Sequence, residues 1–259
     1  MSGKIQNMPS ESRREDPIYK PATSGTETAV FIFVHGLADS AAAIENVAEQ
    51  FQQAGKLPHM SWILPNAKYN NVTMDKAWFT PNSLPYLKPS RAELAPEEDE
   101  EGMLETVAYF ESLIDACVES GIPADRIVIG GFSQGHCMTL LTHIVSKKYS
   151  GKLAGVAGLL GYLVLSDGKT RLEEIRQERG FETTELQGDV PVFLARGSRD
   201  EFIPKRLWEG PDGMLERLLP LGIDDRMREV HVYEGLTHTL NGPVLRDLCT
   251  WLEKVVPPE

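Results

Sequence analysis

Ile129-Gly130-Gly131-Phe132-Ser133-Gln134-Gly135-His136-Cys137 places one hydroxyl among three glycines, between two apolar runs. Upstream, Arg126 to Ile129 reads as a strand. Downstream, Cys137, Met138, Leu140, Leu141, Ile144 and Val145 recur at helical spacing. A strand, a Gly-x-Ser-x-Gly turn and a helix make a nucleophile elbow, in which the glycines let strand and helix approach while the serine sits strained at the tip. Five-residue patterns also arise by chance, and a glycine turn can simply start a helix. Phosphate binding is disfavoured: no Lys-Ser/Thr follows as in a P-loop, and the glycines do not fit G-x-G-x-x-G. The reading of Ser133 therefore depends on the rest of the chain.

Outward from the elbow, Ala29 to Val34 is a continuous apolar run rich in β-branched and aromatic residues, as expected of a strand buried on both faces. Similar runs occupy 60–64, 153–160, 190–195 and 229–233. Between them, Met103, Leu104, Val107, Phe110, Leu113, Ile114 and Cys117 keep helical spacing, as do Val244, Leu245, Leu248, Trp251, Leu252 and Val255. Strands alternating with helices predict an α/β fold with a mostly parallel central sheet and helices on both faces. Residues 1–25 are polar, carry proline and lack periodicity, so they read as a flexible lead-in to a single domain over 26–259. One connection, about 65–96, is unusually long, and its Trp78, Phe79, Leu84, Tyr86 and Leu87 suggest a packed cover rather than a free loop.

Composition narrows the function. A chain of 259 residues with 41% hydrophobic content can bury one sizeable core, and its formal net charge of −12 repels nucleic acid and anionic membrane surfaces. The run Glu97 to Glu101 reads as the solvated start of a helix, favoured by the helix dipole. Three scattered cysteines, Cys117, Cys137 and Cys249, suit neither a disulfide framework nor a zinc site, and they point to a reducing compartment, cytoplasm or nucleus. No apolar h-region or membrane-length run is present, so no signal peptide and no stable membrane anchor are expected.

A serine hydroxyl is a weak nucleophile at neutral pH and needs a histidine base with an acid to orient it. In parallel sheets of this type the acid and then the histidine follow the serine, each beyond a strand end. The run 190–195 leads to Asp200 and its neighbour Glu201, either of which could serve. The run 229–233 leads to His238. His231 lies within its strand, His59 precedes one, and His143 sits on the elbow helix. Two N–H donors must also face the developing oxyanion. Gln134, after the serine, supplies one; Leu37, after the first long strand in His35-Gly36-Leu37-Ala38-Asp39-Ser40, supplies the other.

These pieces, with Ala77-Trp78-Phe79, the lead Gly121 to Ile127 into the elbow, Gly161-Tyr162-Leu163, Asp200 with Ile203-Pro204, and Gly235 with His238, resemble the acyl-protein thioesterase or carboxylesterase–lysophospholipase family of α/β-hydrolases from about residue 29 to 256. The resemblance implies Ser133 as nucleophile, Asp200 rather than Glu201 as acid, and His238 as base, with Leu37 and Gln134 as oxyanion donors. It implies no metal and no cofactor, and an acylated protein, a lysolipid or a small ester as substrate. Trp78, Phe79, Leu84, His136, Tyr162 and Phe202 are expected around the acyl chain. Ala38, Thr80, Leu160, His136 and Arg196 depart from the family pattern, where glycine, aspartate, serine, a small residue and histidine are common. They bear on substrate choice. The readings that follow are a depalmitoylating or lysophospholipase-like hydrolase, a carboxylesterase for small metabolite esters, and a catalytically silent binding module.

Overall fold

The structure, a computed structural model, describes residues 5, 8–10, 13–88, 96–166, 170–183, 186 and 188–258. In chain order the strands are β1 (Ile18–Lys20), β2 (Ala29–Val34), β3 (Met60–Leu64), β4 (Lys68–Asn70), β5 (Asp75–Ala77), β6 (Ile127–Phe132), β7 (Gly155–Leu159), β8 (Val192–Gly197) and β9 (Arg228–Tyr233). The helices are α1 (Ala41–Gln53), α2 (Glu100–Glu119), α3 (Gln134–Val145), α4 (Arg171–Glu178), α5 (Met214–Arg217) and α6 (Gly242–Val255).

Seven strands form one sheet in the order β1-β3-β2-β6-β7-β8-β9, parallel throughout except for β1. The continuous apolar run of β2 has a simple cause. Val30, Ile32 and Val34 enter one core with Phe110, Leu113 and Leu140 of α2 and α3. Phe31 and Phe33 enter the other, with Phe51 of α1 and Trp251 of α6. Alternate side chains meet opposite layers, so no polar position is tolerated. The acidic run meets the expected helix start: the Asp99 carboxylate caps α2 by accepting from Gly102 N at 3.1 Å.

Three expectations need correction. The lead-in is not bare: Ile18–Lys20 pairs antiparallel with β3, and Ile5 is buried. Arg14 donates to the Asn66 carbonyl and lies 3.7 Å from the Tyr109 ring centroid. A three-residue edge strand is too short for a periodic pattern, and only its backbone partner reveals it. Of the cover, 65–88 holds the small hairpin β4-β5 and a 3₁₀ turn at Pro85–Leu87, whereas 89–95 lies outside the described residues. Strand β6 also runs three residues beyond the expected Ile129, through Gly130, Gly131 and Phe132. Glycines carry no apolar signal, although a Cβ at Gly130 would sit 2.8 Å from the Ala157 Cβ.

Among the described residues no helix is long and apolar enough to cross a membrane. Cys117, Cys137 and Cys249 are all buried free thiols.

Candidate active site

Ser133 stands between β6 and α3 with φ 55° and ψ −116°, a conformation that costs an L-residue energy and turns the chain abruptly. The glycines on either side permit it. A Cβ on Gly131 would lie 2.5 Å from the Gly135 carbonyl carbon, and one on Gly135 would lie 2.3 Å from the Val34 carbonyl oxygen. Any larger residue would push α3 off the sheet.

Three strand ends then converge. His238, beyond β9, has Nε2 2.9 Å from Ser133 Oγ and Nδ1 2.8 Å from Asp200 Oδ2, beyond β8. With a carboxylate on Nδ1, the ring donates there and accepts from the serine hydroxyl at Nε2. Asp200 Oδ1 accepts from the Phe202 and Ile203 amides, each at 2.9 Å, which orients the carboxylate. Its side chain is almost fully buried, whereas Glu201 is exposed to solvent. The Phe132 and Phe202 rings lie 4.9 and 5.2 Å from the His238 ring.

Gln134 opens α3, so its N–H belongs to the first turn, which has no intrahelical acceptor. In the facing loop the Ala38 amide is committed to the Lys76 carbonyl at 2.9 Å, and the half-buried Leu37 precedes it at the loop tip. His35 fixes that loop from beneath. Its Nδ1 donates to the Gly36 carbonyl at 2.7 Å and its Nε2 accepts from Ala67 N at 3.1 Å, while burial pushes its pKa down to about 4 and keeps it neutral.

The residues expected around the acyl chain divide. Phe79 and Tyr162 line one narrow cavity together with Thr80, Lys88 and Glu98. Leu84 and Phe202 are 36% and 53% exposed, and Phe202 lies 6.1 Å from the Tyr86 ring, so an apolar strip leads from His238 to the cover. Trp78 and His136 are placed otherwise. Trp78 is buried against His35 and Phe110, and its indole N–H donates to the His35 carbonyl at 2.8 Å. His136 is wholly buried beneath the elbow, accepting at Nδ1 from Gly161 N at 3.0 Å, with a pKa pushed down to about 3 by burial. α3 packs its whole surface into the protein, so the turn after the serine faces inward.

The other departures are also structural. Ala38 holds φ 57° and Leu160 φ 53°, left-handed conformations that glycine adopts without strain. Thr80 donates its amide to the Asp99 carboxylate at 2.7 Å. Arg196 pairs with Glu209 at 3.1 Å beside Trp208, whose indole N–H donates to the Gly161 carbonyl at 2.7 Å.

Sequence reasoning passed over Arg206 and Lys88, and it read Glu98 as solvated, whereas its side chain is largely buried and pairs with Lys88 at 3.1 Å. Arg206 reaches the Lys88 carbonyl at 2.5 Å and so ties the Asp200 loop to the cover. Charged residues in a loop give no pattern that distinguishes them from solvated ones.

Residues 21–256 match the family described as Phospholipase/Carboxylesterase. Acyl-protein thioesterase 1 of Yarrowia lipolytica is 33% identical over 92% of this chain and 96% of its own length. Its namesake in Emericella nidulans is 32% identical over 94% and 96%. Among solved structures, Zea mays acyl-protein thioesterase 2 superposes with a TM-score of 0.68 at 23% identity, covering 93% of this chain and 98% of that one. A Bacillus cereus carboxylesterase superposes with a TM-score of 0.63 at 16% identity, covering 94% and 95%. The chain belongs to the phospholipase/carboxylesterase family, serine hydrolases of esters and thioesters built on the α/β-hydrolase fold.

Proposed function

We propose that the protein deacylates thioesters or esters of acylated proteins and related lipid or metabolite esters through Ser133, His238 and Asp200. The observation that carries this is the unbroken hydrogen-bond chain from Ser133 Oγ through His238 to Asp200, at 2.9 and 2.8 Å. His238 Nε2 takes the hydroxyl proton as Oγ attacks the carbonyl carbon. The oxyanion that forms lies toward the amides of Leu37 and Gln134, each donor of this kind contributing about 3 kcal/mol. Collapse expels the thiolate or alkoxide, which takes the proton from His238. Water then gives a proton to His238 and attacks the acyl-enzyme, releasing the carboxylic acid and restoring Ser133. Asp200 holds the ring and stabilises the imidazolium. No step calls for a metal or cofactor.

The names of the fungal relatives favour a thioester on a protein. A second reading, a carboxylesterase for small esters, is favoured by the narrowness of the cavity beside Phe79 and Tyr162. Three buried free thiols favour a reducing compartment such as the cytoplasm. A fluorophosphonate should label Ser133, and Ser133→Ala should abolish labelling. Asp200→Asn should lower kcat by about ten-thousand-fold. A folded wild-type protein left unlabelled would instead be a silent binding module. Butyryl and palmitoyl thioesters on a cysteine peptide separate the two substrate readings.

A further inference from the structure

Lys88 and Glu98 form a buried ion pair where a loop and a helix start would be expected to meet solvent. Nζ lies 3.1 Å from Glu98 Oε1, with side chains 7% and 11% exposed. The second Glu98 oxygen accepts from Leu165 N at 2.6 Å, and Nζ lies 5.2 Å from the Tyr162 ring centroid. Arg206 fixes the Lys88 backbone from the other side. The pair is thus held by four separate segments of the chain: the cover, the start of α2, the loop after β7 and the Asp200 loop.

Lys88 and Glu98 line the same cavity as Phe79 and Tyr162. That cavity adjoins the elbow. The Phe79 carbonyl accepts from the Gln134 side chain at 2.9 Å, and Tyr162 follows Gly161, which packs so tightly that a Cβ there would lie 2.6 Å from the Ser133 carbonyl oxygen. The space left between these walls is about 10 Å³, room for roughly one water. An acyl chain that ran from Ser133 between Phe79 and Tyr162 would meet an ammonium and a carboxylate. Further methylenes would gain no apolar surface and would have to separate a buried ammonium from its carboxylate.

Building on the hydrolase reading above, we propose that the Lys88–Glu98 pair is the end wall of the acyl pocket and restricts the enzyme to short acyl groups. The test compares kcat/KM for butyryl and dodecanoyl thioesters of one leaving group, in wild type and in the double variant Lys88→Ala/Glu98→Gln. The double change removes both charges together, and glutamine keeps an acceptor for Leu165 N. Wild type should favour butyryl by tenfold or more, and the variant should raise the dodecanoyl-to-butyryl ratio by about tenfold, the scale of a gained methylene site. A merely destabilising change lowers both rates and cannot raise that ratio. Lys88→Met/Glu98→Gln, which refills the volume without charge, should fall between the two. If Ser133 is labelled and turns over but the ratio does not move, or if wild type already prefers dodecanoyl, the end wall is overturned and the chain lies along the exposed Tyr86–Phe202 strip. If Ser133 is neither labelled nor active, the hydrolase reading falls as well.

Discussion

The side-chain amide of Gln134 bridges the backbone of the Trp78–Phe79 pair: Oε1 accepts from Trp78 N at 2.8 Å and Nε2 donates to the Phe79 carbonyl at 2.9 Å. The residue that follows Ser133 thus anchors the cover with its side chain. Trp78 continues the link, since its indole N–H holds the His35 carbonyl at the base of the loop after β2. The elbow and the loop after β2 are therefore tied to one short segment.

Gln134→Ala leaves the backbone donor in place but strands two buried polar groups, each costing about 1–3 kcal/mol. Expected outcomes are a loss of about 2–6 kcal/mol in stability by urea titration and a fall of about tenfold to a hundredfold in kcat/KM. Gln134→Glu keeps the acceptor for Trp78 N and loses the donor to Phe79, so it also leaves a buried carboxylate facing a carbonyl. It should be at least as damaging as alanine.

Acid should unfold the protein through histidines that never reach solvent. Burial lowers His35 to about 4, and it lowers His136 and His143 to about 3, with the Arg176 charge adding to the effect at His143. Above about pH 6.5 these rings are neutral in both states and contribute no pH dependence. Below it the unfolded chain takes up protons that the folded one refuses, so stability falls as pH drops from about 6.5 toward 4. Each ring contributes up to about 1.4 kcal/mol per pH unit. Urea midpoints at pH 7.5 and 5 measure the slope. His136→Asn, whose Oδ1 can still accept from Gly161 N, should reduce that slope by one proton.

Ala38 is held at φ 57° in an exposed loop. The left-handed conformation costs an alanine about 1–2 kcal/mol, against about 0.4–1 kcal/mol of extra unfolded-state entropy for glycine. Ala38→Gly should therefore stabilise the protein by about 0.5–1 kcal/mol, read as a higher melting temperature. An unchanged or lower value would show that the loop does not depend on the strained alanine.

The sequence by itself determined the sheet and which loops carry Ser133, Asp200 and His238. Central strands such as β2 and β3 are buried on both faces, so their apolar runs end where the strands end, and the loops beyond β6, β8 and β9 place Ser133, Asp200 and His238 on the same edge of the sheet. Hydrophobic periodicity and a strained glycine turn are local properties, legible without coordinates. Contacts that close between distant segments are not. His136 and Trp78 carry side chains that suit a binding surface, and only the packing of α3 against the sheet and of the cover against α2 decides that both lie behind it. The β1 edge strand owes its form to a partner more than forty residues away, as in the pairing of Ile18 with Leu64. Lys88 and Glu98 are the clearest case. In sequence they are two charges in a polar stretch, and their meaning arises only when tertiary packing removes water from both and sets them against each other beside Tyr162.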